Sequence, residues 1–206
     1  MTAGVARGPD GRLRCPWGNT SADYRRYHDD EWGRPIRHDN GLYERLTLEA
    51  FQSGLSWLTI LRKRTNFRDA FAGFDIVTVA GFGEADRERL MADTGIVRNA
   101  AKIDAALANA RVAMTLDKPL TDVIWAYSPG SQQSAPMTLA DVPASTDAST
   151  ALAKDLKRRG FRFVGPTTAY ALMQAAGLVN DHLADCCARD AGSCDSPRRD
   201  HWKDTR

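Results

Sequence analysis

Apolar positions recur every three or four residues through most of this chain, whereas the strict alternation typical of a half-buried strand is scarce. The pattern predicts helices that begin at Asp39, Ser56 and Asn99, because each side chain can accept a hydrogen bond from a first turn. The inward-facing stripes are Leu42, Leu46, Glu49 and Ser53, then Trp57, Ile60 and Leu61, then Ile103, Leu107, Ala110 and Met114. Shorter helices are predicted from Asn66, from Asp75 and over 84–91, and residues 121–127 form a short apolar segment. The predicted fold class is therefore all-α.

Residues 150–177 carry the clearest local pattern, two helices joined by a short apolar turn. Gly160 closes the first helix and Gly165 with Pro166 starts the second, as expected for a C-terminal glycine and a first-turn proline. We call residues 161–165 the hairpin. Free N–H groups at a helix start, flanked by arginines, favour an anion such as a DNA phosphate, although an ordinary helix-helix turn has the same pattern. The candidate DNA-binding residues here are Arg162, Val164, Gly165 and Thr167.

Each end of the chain carries a Cys/His pair with zinc-ligand chemistry. The four residues, which we call the Cys/His cluster, are Cys15, His28, His182 and Cys186. The C-terminal pair is spaced i and i+4 and shares one helical face. Four such ligands with no open position form a structural site, so one Zn²⁺ ion would join the two ends of the fold. The alternative is a set of unrelated core cysteines and surface histidines. Cys187 and Cys194 are poorer ligand candidates, since one points elsewhere on the helix and the other lies in a polar segment.

Composition and charge limit the class of protein. A chain of 206 residues with 43% hydrophobic content can build one core, or two lobes around a cleft. We expect a flexible extension over 1–12, a single helical domain over 13–188 and a disordered tail over 189–206. A net charge of +2 excludes a histone-like polycation, and no apolar stretch is long enough for a signal peptide or a membrane span. We therefore expect a cytoplasmic monomer whose cysteines are ligands or free thiols rather than disulfides.

Several uncommon blocks occur in one order along the chain. Residues 27–33 read YHDDEWG, 48–57 read LEAFQSGLSW, 157–161 read KRRGF and 177–182 read GLVNDH. With the hairpin motif FRFVGPTTA, they resemble the 3-methyladenine DNA glycosylase I family of helix-hairpin-helix DNA glycosylases, over residues 15–187. The resemblance implies that architecture, a role in base-excision repair, and one structural Zn²⁺ held by the Cys/His cluster.

Glu49 lies on an inward-facing stripe, where a carboxylate is either paired with a buried arginine or reserved for a ligand. The resemblance implies the second, with Glu49 as the catalytic candidate that bonds the edge of a flipped 3-methyladenine, Tyr27 assisting and Trp57 stacking on the base. Trp17 is a further aromatic candidate for the base site. Leu55 is either a wedge that fills the base stack or a core leucine.

The reaction that the resemblance implies is hydrolysis of the N-glycosidic bond in alkylated double-stranded DNA, with release of the free base. No lysine occupies the hairpin position used by lyases, so strand cleavage is not expected, and the group that activates water is left open. A zinc-stabilised helix-hairpin-helix module that binds DNA without catalysis is an alternative, as is a hydrolase that uses the Cys/His cluster. The hydrolase needs an open position on zinc.

Overall fold

The computed structural model describes residues 4–130 and 134–190. Helices dominate the described residues and strand content is small, which confirms the predicted helical class. The α-helices are α1 (Ala22–Asp30), α2 (Asp39–Gln52), α3 (Trp57–Ala70), α4 (Ile76–Ala80), α5 (Glu84–Ala92), α6 (Ala100–Met114), α7 (Leu120–Trp125), α8 (Asp147–Arg158) and α9 (Pro166–Ala175). The strands are β1 (Ala6–Arg7) and β2 (Leu13–Arg14). None of the described helices is long and apolar enough to cross a membrane.

The chain forms two compact units. The larger unit is drawn from residues 33–134 and 143–180 and contains α2 to α9. The described part of the smaller unit is drawn from residues 4–32, 135–142 and 181–190 and contains β1, β2 and α1. An N-terminal and a C-terminal segment thus both contribute to it.

Helix α2 is the central helix of the larger unit. It packs against α3, α6, α7 and α9, so every residue from Gly41 to Phe51 is buried. An aromatic core fills one side of it, where the ring centroids of Phe51 and Phe67 lie 4.8 Å apart. Because α2 is enclosed, its polar side chains are removed from water. Each is therefore expected to pair with another group of the protein or to bind a ligand.

The smaller unit contains a short strand, β1, within the segment 1–12 for which the sequence predicts a flexible extension. Strands β1 and β2 pair in antiparallel register, with Ala6 opposite Arg14. The buried Arg14 guanidinium bonds both Asp10 and Asp29, which fixes this ladder against the C-terminal end of α1. The prediction missed the ladder because two-residue strands carry no periodicity. The tail predicted over 189–206 lies largely outside the described residues.

Most predicted helix starts are correct, because their capping side chains are local. Ser56, Asp75 and Asn99 each accept a hydrogen bond from a first-turn N–H. The predicted cap of α2 is wrong by one residue, since His38 Nδ1 accepts from the Gly41 N–H instead. A separate helix from Asn66 is also wrong, because α3 continues through it to Ala70.

Candidate active site and metal centre

Glu49 lies near the C-terminal end of α2, three residues before Gln52, and is 6% exposed. Among the described residues, no hydrogen bond or ion pair reaches its carboxylate. Burial raises the pKa of Glu49 to about 7, against the opposing charge of Arg45 one helical turn earlier. Of the two possibilities, a buried ion pair and a reserved carboxylate, the geometry favours the second.

The turn after α2 places an aromatic ring and an apolar side chain beside this carboxylate's helix. Trp57, at the first position of α3, is 9% exposed, and the Arg45 guanidinium carbon lies 5.8 Å from its ring centroid. Leu55 lies in the intervening turn and is 41% exposed, so it is not a core leucine. An exposed leucine at a tight turn is the arrangement that a wedge requires.

Lys102 stabilises the turn between α2 and α3 through hydrogen bonds to its backbone carbonyl groups. Its ammonium group donates to the carbonyl oxygens of Phe51 at 2.9 Å and Ser53 at 2.5 Å, at the C-terminal end of α2. A cation at a helix C-terminus satisfies unpaired carbonyls and complements the helix dipole. Burial lowers the pKa of Lys102. The sequence reasoning missed Lys102, because its partners lie about fifty positions away.

The other two base-site candidates, Tyr27 and Trp17, belong to the smaller unit. Tyr27 is 3% exposed and lies on α1. Trp17 is half-buried, and its ring makes edge contacts with His28 at 4.9 Å and with Trp32 at 5.0 Å between centroids. Trp17 therefore packs on a predicted metal ligand, a contact that the sequence reasoning did not anticipate. Roles for both in base binding stay predictions.

The hairpin joins α8 to α9 as the sequence predicts. Gly160 has φ +103 and ends α8, and Gly165 is the N-cap of α9 without a side-chain cap. Arg162 and Thr167 are exposed, whereas Val164 is 1% exposed. Any contact between Val164 and DNA is thus limited to its backbone.

The Cys/His cluster comes together in the smaller unit. All four side chains are buried, and their ligand atoms lie within 4.8 Å of one another. Cys186 Sγ is 3.3 Å from His28 Nε2 and 3.5 Å from His182 Nδ1, and Cys15 Sγ is 3.9 Å from the same His182 nitrogen. A tetrahedral Zn²⁺ places two sulfur and two nitrogen ligands about 3.3–3.8 Å apart. The cluster can therefore hold one metal ion.

Both histidines have their second ring nitrogen engaged, which fixes the nitrogen that faces the cluster. His28 Nδ1 lies 2.8 Å from Asp29 Oδ1, and His182 Nε2 lies 3.1 Å from the Trp32 carbonyl oxygen. These acceptors hold the proton of each ring on the outer nitrogen and leave the inner nitrogen free for a metal. Gly18 packs so closely on His28 that an added Cβ would lie 2.7 Å from the ring.

Hydrogen bonds within the cluster favour the thiolate of one cysteine. The hydrogen bond from the Cys15 thiol, followed by bonds from the two imidazoles, holds the pKa of Cys186 well below its usual range against the effect of burial, whereas the bond to Cys186 and burial raise the pKa of Cys15. Cys187, the neighbouring residue, is disulfide-bonded. The expectation of ligands and free thiols alone is therefore wrong at Cys187, which is also excluded as a ligand.

Comparison with known proteins gives consistent matches. A sequence model of the family described as methyladenine glycosylase matches residues 17–189. The chain is 46% identical over 178 residues to DNA-3-methyladenine glycosylase 1 of Escherichia coli (strain K12), over 84% of this chain and 95% of that protein. It is similar to a crystal structure of 3-methyladenine DNA glycosylase I, with a TM-score of 0.82 at 44% identity, over 86% of this chain and 100% of that one. The chain is also similar to a structure of the Staphylococcus aureus 3-methyladenine DNA glycosylase I from a study of 3-methyladenine recognition. The TM-score is 0.81 at 34% identity, over 86% of this chain and 97% of that one.

Proposed function

The chain belongs to the methyladenine glycosylase family, and from that membership we propose how its own residues act. The protein is a base-excision DNA glycosylase that hydrolyses the N-glycosidic bond of 3-methyladenine. In DNA this base is cationic, so it leaves without protonation. Water adds its oxygen to C1′, the electron pair of the broken bond stays with the base, and the remaining water proton is released. The products are neutral 3-methyladenine and an abasic site, with the strand intact.

The observation that carries the mechanism is the buried, unpartnered carboxylate of Glu49. We propose that it accepts hydrogen bonds from the flipped base and stabilises its positive charge. A buried carboxylate is costly to ionise in the empty site, and a cationic base compensates that cost. Neutral adenine does not, so the site discriminates against it. Entry of the cationic base restores the ionised form of Glu49.

Trp57 is proposed to stack on the base, because an electron-rich ring face attracts a cation. The nearby Arg45 guanidinium, 5.8 Å from the ring centroid, supports a ring position that a positive group can approach. Tyr27 and Trp17 are proposed to assist in base binding, as the family resemblance implies. Leu55 is proposed as the wedge that occupies the gap left by the flipped nucleotide.

The hairpin is proposed to bind a backbone phosphate of double-stranded DNA. Thr167 and Thr168, in the first turn of α9, have N–H groups without intrahelical acceptors, and Gly165 offers no side chain to cap them. Nothing within 4 Å would obstruct a Cβ at Gly165, and its φ of −103 suits any residue. The protein itself thus places no demand for glycine here, and the missing side chain leaves room for an external group to approach the backbone. Arg162 adds an exposed positive charge nearby.

The Cys/His cluster is proposed to hold one structural Zn²⁺. Two thiols and two imidazoles are the ligands that zinc prefers, and all four are buried, which leaves no open position for water. This arrangement disfavours the alternative of a zinc-dependent hydrolase. The ion would supply folding stability, while the chemistry stays with Glu49.

The decisive experiment compares the unmodified chain with Glu49→Gln on alkylated duplex DNA, with chromatography of the released bases. The unmodified chain releases 3-methyladenine, and Glu49→Gln lowers kcat/KM by about 100-fold. Glu44→Gln is the matched control, because Glu44 is on the same helix, is 5% exposed and pairs with Arg68. Equal release of 3-methyladenine by Glu49→Gln would remove Glu49 from the mechanism, and duplex binding without base release by the unmodified chain would support the alternative, a module that binds DNA without catalysis.

A further inference from the structure

A buried asparagine on α6 lies directly against the hairpin. Asn109 is 1% exposed, and its carboxamide forms two hydrogen bonds with the backbone of one residue, Arg162. Oδ1 accepts from the Arg162 N–H at 2.7 Å, and Nδ2 donates to the Arg162 carbonyl oxygen at 3.1 Å. An amide in a helix interior is costly to bury unless its groups are paired. Here both functional groups are used on a single residue of the turn.

The hairpin has few other polar restraints. Within residues 4–130 and 134–190, no backbone–backbone hydrogen bond involves Arg162, Phe163 or Val164. Phe163 has φ +56, a left-handed conformation that costs an L-residue about 1–2 kcal/mol. Its ring is 42% exposed, so ring burial offsets little of that strain. Apolar burial of Phe161 and Val164 holds the flanks, and Asn109 is the polar anchor between them.

We propose that Asn109 is a positioning residue for DNA binding. By fixing Arg162 on both its N–H and its carbonyl, it sets the path of the hairpin and holds the left-handed turn at Phe163. The following N–H groups, at Gly165 and in the first turn of α9, are thereby preorganised for a phosphate. This inference rests on the proposed role of the hairpin and adds the residue that gives the hairpin its shape.

The test measures binding of labelled undamaged duplex DNA by fluorescence anisotropy over a range of salt concentrations. Asn109→Ala is expected to weaken DNA binding about tenfold, the equivalent of two modest hydrogen bonds. If one phosphate contact is lost, the slope of log affinity against log salt falls by about 0.9. KM for alkylated duplex rises in the same proportion, while kcat and calorimetric binding of free 3-methyladenine stay within about twofold of the unmodified chain.

Two further variants separate positioning from general damage. Asn109→Asp is isosteric and creates no cavity, but its carboxylate cannot donate to the Arg162 carbonyl, so DNA binding also weakens. Asn99→Ala removes the cap of the same helix, where Asn99 accepts from the Lys102 N–H, at a stability loss of about 1 kcal/mol. Asn99 is exposed and does not touch the hairpin, so DNA binding is expected to be unchanged.

Gly165→Ala tests the premise separately, because the added Cβ fits the protein but blocks a phosphate. If Gly165→Ala leaves DNA binding unchanged, the proposed role of the hairpin is wrong. If Gly165→Ala weakens binding while both Asn109 variants bind as the unmodified chain does, the role of Asn109 is wrong. Parallel losses in kcat and free-base binding in the Asn109 variants would reduce Asn109 to a structural residue and overturn the proposal.

Discussion

Glu49 couples function to stability through its burial. The folded pKa of about 7 lies above the unfolded value near 4.5, so the folded chain binds more protons between these values. This proton binding contributes about 3 kcal/mol to the free energy of unfolding. The contribution is fully present below about pH 4.5 and is lost as pH rises through 7. Glu49→Gln is therefore expected to have a higher free energy of unfolding in urea than the unmodified chain at pH 8. The difference between the two chains is expected to be smaller at pH 5.

The Glu44→Gln control must behave differently. Glu44 is equally buried but its carboxylate bonds Arg68 Nε at 2.9 Å, so the substitution removes an ion pair instead of relieving a buried charge. It is expected to lower the free energy of unfolding at pH 8. A gain in stability for both variants at pH 8 would show that the effect is not specific to Glu49.

The same carboxylate predicts the pH dependence of excision. Only the ionised form of Glu49 complements a cationic base, and the free enzyme loses that form as pH falls below about 7. Because kcat/KM reports ionisations of the free enzyme, it is expected to rise as pH passes through about 7 for alkylated duplex DNA. Rates of base release between pH 5.5 and 8.5 test this. A flat profile would mean that Glu49 is ionised throughout and that burial does not control it.

The residues that sequence reasoning found and missed differ in one physical respect. Glu49 was identifiable because a carboxylate interrupts an apolar stripe on its own helix. Asn109 and Lys102 were missed because the backbone groups they bond are 53 and about 50 positions away. A side chain whose partner is distant in sequence leaves no local pattern, so its role becomes visible only in the folded chain.

At the scale of elements, the turn between α2 and α3 is expected to depend on Lys102. Lys102→Met preserves most of the side-chain volume but leaves the carbonyls of Phe51 and Ser53 without their charged donor. The free energy of unfolding is expected to fall by about 2 kcal/mol, and KM for alkylated duplex is expected to rise because Leu55 is less well held. Chemical denaturation and steady-state kinetics measure the two effects.

Lys154→Met is the matched control for that substitution, since Lys154 is exposed on α8. It is expected to change neither quantity. If Lys102→Met matches Lys154→Met in both stability and KM, then the carbonyls are adequately solvated without the lysine and the anchor has no energetic role.

Element boundaries were predictable where the capping side chain is local and uncertain where it bonds elsewhere. Asp39 resembles a cap for α2, but its carboxylate accepts from the N–H groups of Leu120 and Thr121 at the start of α7. Helix α1 was not predicted because its buried residues are Tyr27, His28 and Asp29, which contribute little apolar periodicity. Of these, His28 belongs to the Cys/His cluster and Asp29 bonds its outer ring nitrogen, so their burial follows the cluster and not an apolar stripe.

At the scale of the whole molecule, the Cys/His cluster brings together residues far apart in the sequence within the smaller unit. Its ligands come from Cys15 and His28 in the N-terminal segment and from His182 and Cys186 in the C-terminal one. Without an ion, two thiols and two imidazoles are left buried at close range. Metal affinity is thus expected to appear as folding stability, as in other sites that form only in the folded state.

Metal analysis of the purified chain is therefore expected to find one zinc ion per molecule. Chelation, or Cys15→Ser, is expected to lower the apparent free energy of unfolding by about 3 kcal/mol or more, the value for a ligand above 100 times its dissociation constant. Cys187→Ser is the control for metal content, because Cys187 is disulfide-bonded and outside the cluster. A metal-free chain that keeps its thermal midpoint but loses excision would instead assign the ion to the chemistry. The four buried ligands argue against that result, because a catalytic ion needs a position open to water and substrate.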